Sequence, residues 1–221
     1  METGLPSVHS HRSHAVPTAL KPRKKPLQAR SAVTVDAIVE ATIRILRRDG
    51  WAACTTTRIS TIAGISVGSL YQYFPNRNAI AVEIVRQRTR TYLAAVIAAD
   101  LSAAVTPEEV IDAAIAAFVV EKRKGLDVSL ALRDALPEVQ GRQAIIEEAR
   151  RYVPALQAKF AAAGAGTADT MQLAVALAAV EGAVWELMAH DEAAIGRPEA
   201  VAALSRVFRA AAGFSPAAVA R

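Results

Sequence analysis

Between Gly50 and Asn76 the chain stops and restarts a helix repeatedly, and this punctuation limits what the segment can become. Gly50 ends a run of three-four apolar spacing (Ile38, Ala41, Ile45, Leu46), which predicts a helix over roughly 35–48 with Thr34 as a possible cap and Asp36 at its positive end. Thr55 offers the next N-cap, and Ile59, Ile62 and Ala63 put an apolar stripe on a short helix that Gly64 stops. Ser66 caps a further helix over 67–73, and Asn76 caps another that begins at Arg77. Such short helices are unstable alone and must pack together. Two of them separated by Gly64-Ile65-Ser66 have the layout of a helix-turn-helix, with Trp51 available to plug a small core.

The rest of the chain points to an all-α fold. Among 221 residues 52% are hydrophobic and 5% aromatic, alanine recurs throughout, and no strand-like alternation is found. The single cysteine, Cys54, excludes an intramolecular disulfide; it can serve as a small buried residue or as an oxidation sensor. The N-terminus is polar and lacks an apolar stretch of the secretory kind, so a soluble cytoplasmic protein is expected. Residues 1–30 hold six Lys/Arg against Glu2 alone and so account for the net charge of +5. With Pro6, Pro17, Pro22 and Pro26 and no period, this arm reads as disordered, and "KPRKKP" could lie along DNA or simply aid solubility. His9, His11 and His14 lack Cys or carboxylate partners and are read as solvated, so no metal and no cofactor are expected. No acid occurs between Asp49 and Glu83, as suits a surface that approaches phosphates.

"GISVGSLYQYF", residues 64–74, supports two readings. Gly64-Ile65-Ser66-Val67-Gly68 fits the G-x-S-x-G pattern of a hydrolase elbow, but that serine needs a strand before it, and "TTTRISTIA" is a capped amphipathic helix. His190, the one downstream histidine, ends an apolar helix and reads as a capping or surface residue. No other enzymatic motif is present, so no enzyme is expected. As a DNA reader, the helix 67–73 turns Leu70 and Phe74 inward, with Gly68 and Gln72 outward and Ser69 and Tyr71 on the flanks, at about 100° per residue. Gly68 would let the backbone approach a groove, Ser69 and Gln72 would bond base edges, and Tyr71 and Tyr73 would reach phosphates. Tyr73 could equally pack between helices. Arg77, a cation in the first turn of a helix, opposes the dipole and suggests a phosphate at that end.

"TTTRISTIAGISVGSLYQYFPNRNAI", residues 55–80, resembles the DNA-binding segment of TetR-family (tetracycline-repressor-like) transcriptional regulators, and the likeness runs from the first helix to about residue 90. It implies that Thr56 and Thr57 meet the DNA backbone, that helix 67–73, entered through Ser66 and Val67, lies in the major groove, and that Tyr71, Tyr73 and Arg77 hold phosphates. Arg77 stands where the family usually has Lys, and Ser60 where it usually has Ala.

Periodicity predicts further helices near 77–100, 107–123, 127–136, 138–163, 168–190 and 198–212, with Pro154 kinking one or marking a start. "MQLAVALAAVEGAVWELMAH" is apolar nearly all round, but Gln172, Glu181 and Glu186 interrupt it and no basic flank anchors it, so a doubly buried helix is expected rather than a membrane span. Ala174, Ala178 and Gly182 recur there at every fourth position, and Val201, Leu204 and Phe208 form a second stripe. The resemblance implies that these last two helices form a four-helix interface in a homodimer, which then reads an inverted-repeat operator. It also implies a small-molecule effector pocket, for which Phe118, Arg133, Tyr152, Met171, Glu181, Trp185 and Met188 are candidates, each with an alternative as ordinary core or surface. The expected division is a basic arm over 1–30, a three-helix helix-turn-helix DNA-binding domain over 31–80, and a helical effector-binding and dimerisation domain over 81–221. Two functions follow: a ligand-released repressor, or a DNA-binding accessory or architectural protein without a ligand.

Overall fold

A computed structural model describes residues 29–132, 135, 141–166, 168–191 and 193–214. The basic arm up to residue 28, its histidines and Arg133 lie outside them, while Ala29 and Arg30, expected at the end of that arm, open the first helix. All regular structure among the described residues is helical: α1 (Ala29–Asp49), α2 (Thr56–Ala63), α3 (Val67–Tyr73), α4 (Arg77–Ala98), α5 (Pro107–Arg123), α6 (Leu126–Ala131), α7 (Gly141–Arg150), α8 (Val153–Ala162), α9 (Thr170–His190) and α10 (Pro198–Ala212), with short 3-10 turns at Trp51–Ala53 and Ala194–Gly196.

Local chemistry sets most of the boundaries. Thr55, Ser66 and Asn76 each accept a backbone N–H at the start of α2, α3 and α4. Gly64 closes α2 at φ 69°, where an L side chain would be strained, and Ile65 N–H returns to the Ser60 carbonyl. Reciprocal capping boxes open α5 (Thr106 with Glu109) and α9 (Asp169 with Gln172). Three expectations are corrected. Thr34 lies inside α1 rather than capping it, the helix expected over 127–136 ends at Ala131, and the one expected over 138–163 is two helices broken at Arg151-Tyr152, with Pro154 in the first turn of α8.

Two hydrophobic clusters form the core. The first joins α1–α3 and the start of α4 to Val128, Leu132, Ala135, Ala144 and Ile145, which belong to α6, α7 and the segment between them. The second joins the end of α4 (Tyr92, Leu93, Val96) to α5, α8, α9 and α10. Helix α4 belongs to both, and Trp185 of α9 packs against both. Ion pairs reinforce the α4–α7 contact. Across it buried Glu148 takes Arg90 at 3.5 Å and Arg86 meets Glu147 at 3.3 Å, while Glu83 holds Arg90 within α4 at 2.8 Å and Arg151 holds Glu148 locally at 3.0 Å. The helix-turn-helix segment is thus packed onto the helices of the C-terminal region, and Arg47 of α1 pairs with Asp127 of α6.

Candidate nucleic-acid interface and ligand chamber

Helix α3 shows one buried edge and one open face. Leu70 and Phe74 are fully buried and fix its roll, while Gly68, Tyr71 and Gln72 are exposed and Ser69 is half-buried, as the 100° spacing requires. Its entry is built by Ser66, whose Oγ accepts the Ser69 N–H at 3.0 Å and lies 2.8 Å from Ser69 Oγ. That serine is therefore a helix cap preceded by a helix, and the elbow geometry of a hydrolase is absent here. Val67 is half-buried beside it.

The flanking residues are arranged around this face. Thr56 Oγ1 lies 3.2 Å from the Tyr71 hydroxyl, which joins the start of α2 to the exposed side of α3. Thr57 is exposed on the same first turn of α2. Tyr73 is half-buried and its ring packs against the first core, in keeping with its alternative role. Arg77 opens α4 but is not free in solvent: its guanidinium sits 4.9 Å over the Trp51 ring and donates to the Trp51 carbonyl at 3.4 Å. This stacking holds a cation at the start of α4 without a carboxylate partner among the described residues. Ser60, the other departure, is buried and donates to the Thr56 carbonyl at 2.7 Å, so its hydroxyl is satisfied.

The acids that bound this region are neutralised. Asp49 is bonded by Arg48 and Arg58, and the Arg48 hydrogen bond leads in holding its carboxyl below the ordinary value. Glu83 is buried against Arg90. Cys54 is fully buried at the back of the reader, and burial pushes its thiol up to about 11, which favours the structural role over a redox one.

The C-terminal region encloses three neighbouring spaces that share the walls Ile145 and Glu181. The first, about 50 Å³, is apolar and lies among Tyr92, Ile111, Phe118, Phe160 and Leu177. The second, about 20 Å³, is polar and bordered by Arg88, Thr89, Lys122, Ser129 and Trp185. The third, about 340 Å³, is an apolar groove between α7 and α9 that includes Met171, Ala174, Ala178 and Gly182. Of the expected pocket residues, Phe118, Glu181 and Trp185 line these spaces, and Met171 edges only the outer groove, where it is 74% exposed. Met188 is a core residue and Tyr152 packs beside the second core; neither lines any of the three.

Sequence reasoning missed two residues of this chamber, Lys122 and Arg88. Lys122 is buried, donates to Glu181 at 2.6 Å, and lies 4.6 Å over the Tyr92 ring. Its place on the α5 stripe after Val119 and Phe118 was the available signal. Arg88 lies against Gly125, where a Cβ would come within 2.1 Å of the guanidinium. The Tyr92 hydroxyl donates to Thr89 at 3.0 Å and titrates well above its ordinary value because it is buried and faces Glu181.

On α9 and α10 the outward surface differs from the expected one. Leu204 and Phe208 point into the protomer's own core and are corrected from interface to core residues, because α10 uses its stripe to pack on α5 and α9. Ala178, Gly182, Met171 and Val175 are exposed, with Ala174 and Val201 half-buried. Helix α9 is therefore buried on one side within the protomer and open on the other, where the expected double burial would need a second chain.

Residues 32–84 match the sequence profile of the bacterial regulatory proteins of the tetR family. No curated protein matches the chain. Among solved structures, a TetR transcriptional regulator from Rhodococcus sp. RHA1 superposes with a TM-score of 0.55 at 19% identity, covering 82% of this chain and 97% of that one. FadR from Bacillus subtilis, solved in complex with stearoyl-CoA, gives 0.54 at 17% identity over 82% and 99%. The fatty acid degradation regulator FadR from Bacillus halodurans gives 0.52 at 18% over 81% and 95%. These similarities extend the shared fold across the C-terminal helices. Residues 32–84 thus carry a segment of the tetR-family type, and the remaining helices share the fold of solved TetR-family regulators.

Proposed function

We propose that the protein is a homodimeric repressor that binds an inverted-repeat operator through α3 and is released by a small-molecule effector held in the C-terminal chamber. The observation that carries this reading is the sharing of α4 and Trp185 between the reader core and the chamber core. A ligand that moves Ile145 or Trp185 acts on side chains that pack against the reader, and the α4–α7 ion pairs give the shift a stiff path.

Dimerisation rests on α9. Thr170–Met188 is long and apolar enough to cross a membrane, with mean hydropathy 1.4, yet only 28% of that window is buried within the protomer. Met171 and Val175 stand 74% and 51% exposed on the open side, beside Ala178 and Gly182. A second copy of the same face covers this surface by symmetric contact, and the small residues permit close approach. Two reading helices then face one side of the DNA, about 34–36 Å apart.

Fluorescence anisotropy on DNA flanking its own gene, over a salt series with unrelated competitor, tests the reading. Competitor-resistant binding of two protomers, or a multiple of two, per inverted repeat is expected, with loss on Arg77→Ala. Binding that is fully salt-sensitive and indifferent to sequence contradicts it.

A further inference from the structure

The chamber carries more cationic hydrogen-bonding capacity than its own acid can use. Around the polar space stand Arg88 and Lys122, with Glu181 as the only carboxylate of its walls among the described residues. Lys122 spends its charge on Glu181. Arg88 has no carboxylate within ion-pair distance among the described residues: one terminal nitrogen donates to the Glu121 carbonyl at 3.3 Å, and its Nε is buried without an acceptor. Trp185 Nε1 is a second buried donor without an acceptor on the same wall. A buried donor without an acceptor is costly, and more so when its group is charged. The sequence makes room for the arrangement, since Gly125 lets the Arg88 guanidinium lie against the backbone.

Beside this cluster, across the shared walls Tyr92, Ile145 and Glu181, lies the apolar space bounded by Phe118, Phe160 and Leu177. A polar end with spare donors and net positive charge, joined to an apolar end, matches one chemistry. We propose that the effector is a small amphipathic carboxylic acid whose carboxylate accepts from Arg88 Nε and Trp185 Nε1 beside Lys122, and whose apolar body fills the space around Phe118. This assignment rests on the ligand-released reading above and names the class of ligand that reading requires. The carboxylate is preferred over a neutral head because both spare donors are aimed from buried atoms, where a charge-assisted bond is stronger than in water. An ammonium head would meet two cations and one acid already paired.

The test uses the full chain with hexanoate, octanoate and decanoate against the 1-alkanols and 1-alkylamines of the same lengths. Binding is read by thermal shift and by release from DNA. The carboxylates are expected to bind on the order of ten to a hundred times tighter than the alcohols, as a charged hydrogen bond contributes, and the amines weakest. Two variants locate the effect. Gly125→Ala pushes the Arg88 guanidinium from its seat while keeping every charge, and Lys122→Met/Glu181→Gln removes the ion pair without leaving a buried charge alone. With Gly125→Ala the carboxylate advantage should fall toward the alcohol level, and with Lys122→Met/Glu181→Gln, which leaves Arg88, Trp185 and the net charge in place, it should persist, with the Tm of the ligand-free protein reporting that the fold is kept. Alcohols or amines that bind as tightly as carboxylates overturn the class while leaving a ligand-released regulator in place. A carboxylate preference that survives Gly125→Ala, or that is lost in Lys122→Met/Glu181→Gln, overturns the assigned residues. Failure of all nine compounds to bind protein that still holds DNA overturns the proposal and removes support from the ligand-released reading together.

Discussion

Gly68 is a residue the protomer does not need. A Cβ there would meet nothing nearer than Ser66 Oγ at 3.8 Å, so Gly68→Ala should keep or raise stability, by up to about 1 kcal/mol from helix propensity, in urea unfolding. The same change should weaken DNA binding measured by anisotropy, because the methyl group would stand on the exposed face of α3 proposed to approach the groove. Equal DNA affinity in Gly68→Ala would remove the argument for close approach. Cys54 provides a residue-scale prediction of the opposite kind. Its thiol is buried and titrates near 11 against about 9 for an open one, so native protein at pH 8 should react with a thiol reagent only as fast as it unfolds. Because the native state keeps its proton through pH 9 to 11 while the unfolded thiol loses it, stability falls as pH rises across that window. Rapid labelling of the folded protein would contradict the burial.

Helix ends were legible where a cap or a glycine writes them. Thr55, Gly64, Ser66, Asn76, Thr106 and Pro198 gave the boundaries of α2 to α5 and α10, since each acts through its own backbone and neighbours within a turn. Gly64→Ala should cost about 1–2 kcal/mol in unfolding experiments, all of it from the left-handed backbone, because nothing lies within 4 Å of the added carbon. Where tertiary packing decides, the sequence was silent. The stripe Leu204, Phe208 could face its own core or a partner equally well, and periodicity does not say which. The break at Arg151-Tyr152 and the ion pairs of α4 with α7 depend on where distant helices come to rest. Glu148 is the most buried acid of that network, and Glu148→Gln should lower stability by about 1–3 kcal/mol while weakening the response of DNA binding to effector. Unchanged stability and unchanged response would show that α7 transmits nothing through it. The chamber's cations escaped the sequence reading because a lysine or arginine on an apolar stripe looks like a solvated residue until its partner is seen.

As a whole molecule, the chain is a reader whose outward face is ready and a body whose α9 face is unfinished. Val175→Asp places a charge on that exposed face without touching the protomer core and should shift sedimentation from dimer to monomer, with DNA affinity falling as the second half-site is lost. Dimers that survive it would move the interface elsewhere. On the proposed function, the shared core of α4 and Trp185 would make ligand entry and half-site spacing one equilibrium rather than two. The most direct test of the central assignment is selection of duplexes from random-sequence DNA by the purified protein, repeated with Gln72→Ala. The account predicts a two-fold symmetric sequence with half-sites about one helical turn apart and, in the variant, relaxed preference at one position of each half-site. Enrichment of no sequence, or of an asymmetric one unchanged by Gln72→Ala, would contradict the reading of α3 as the recognition helix of a two-fold dimer.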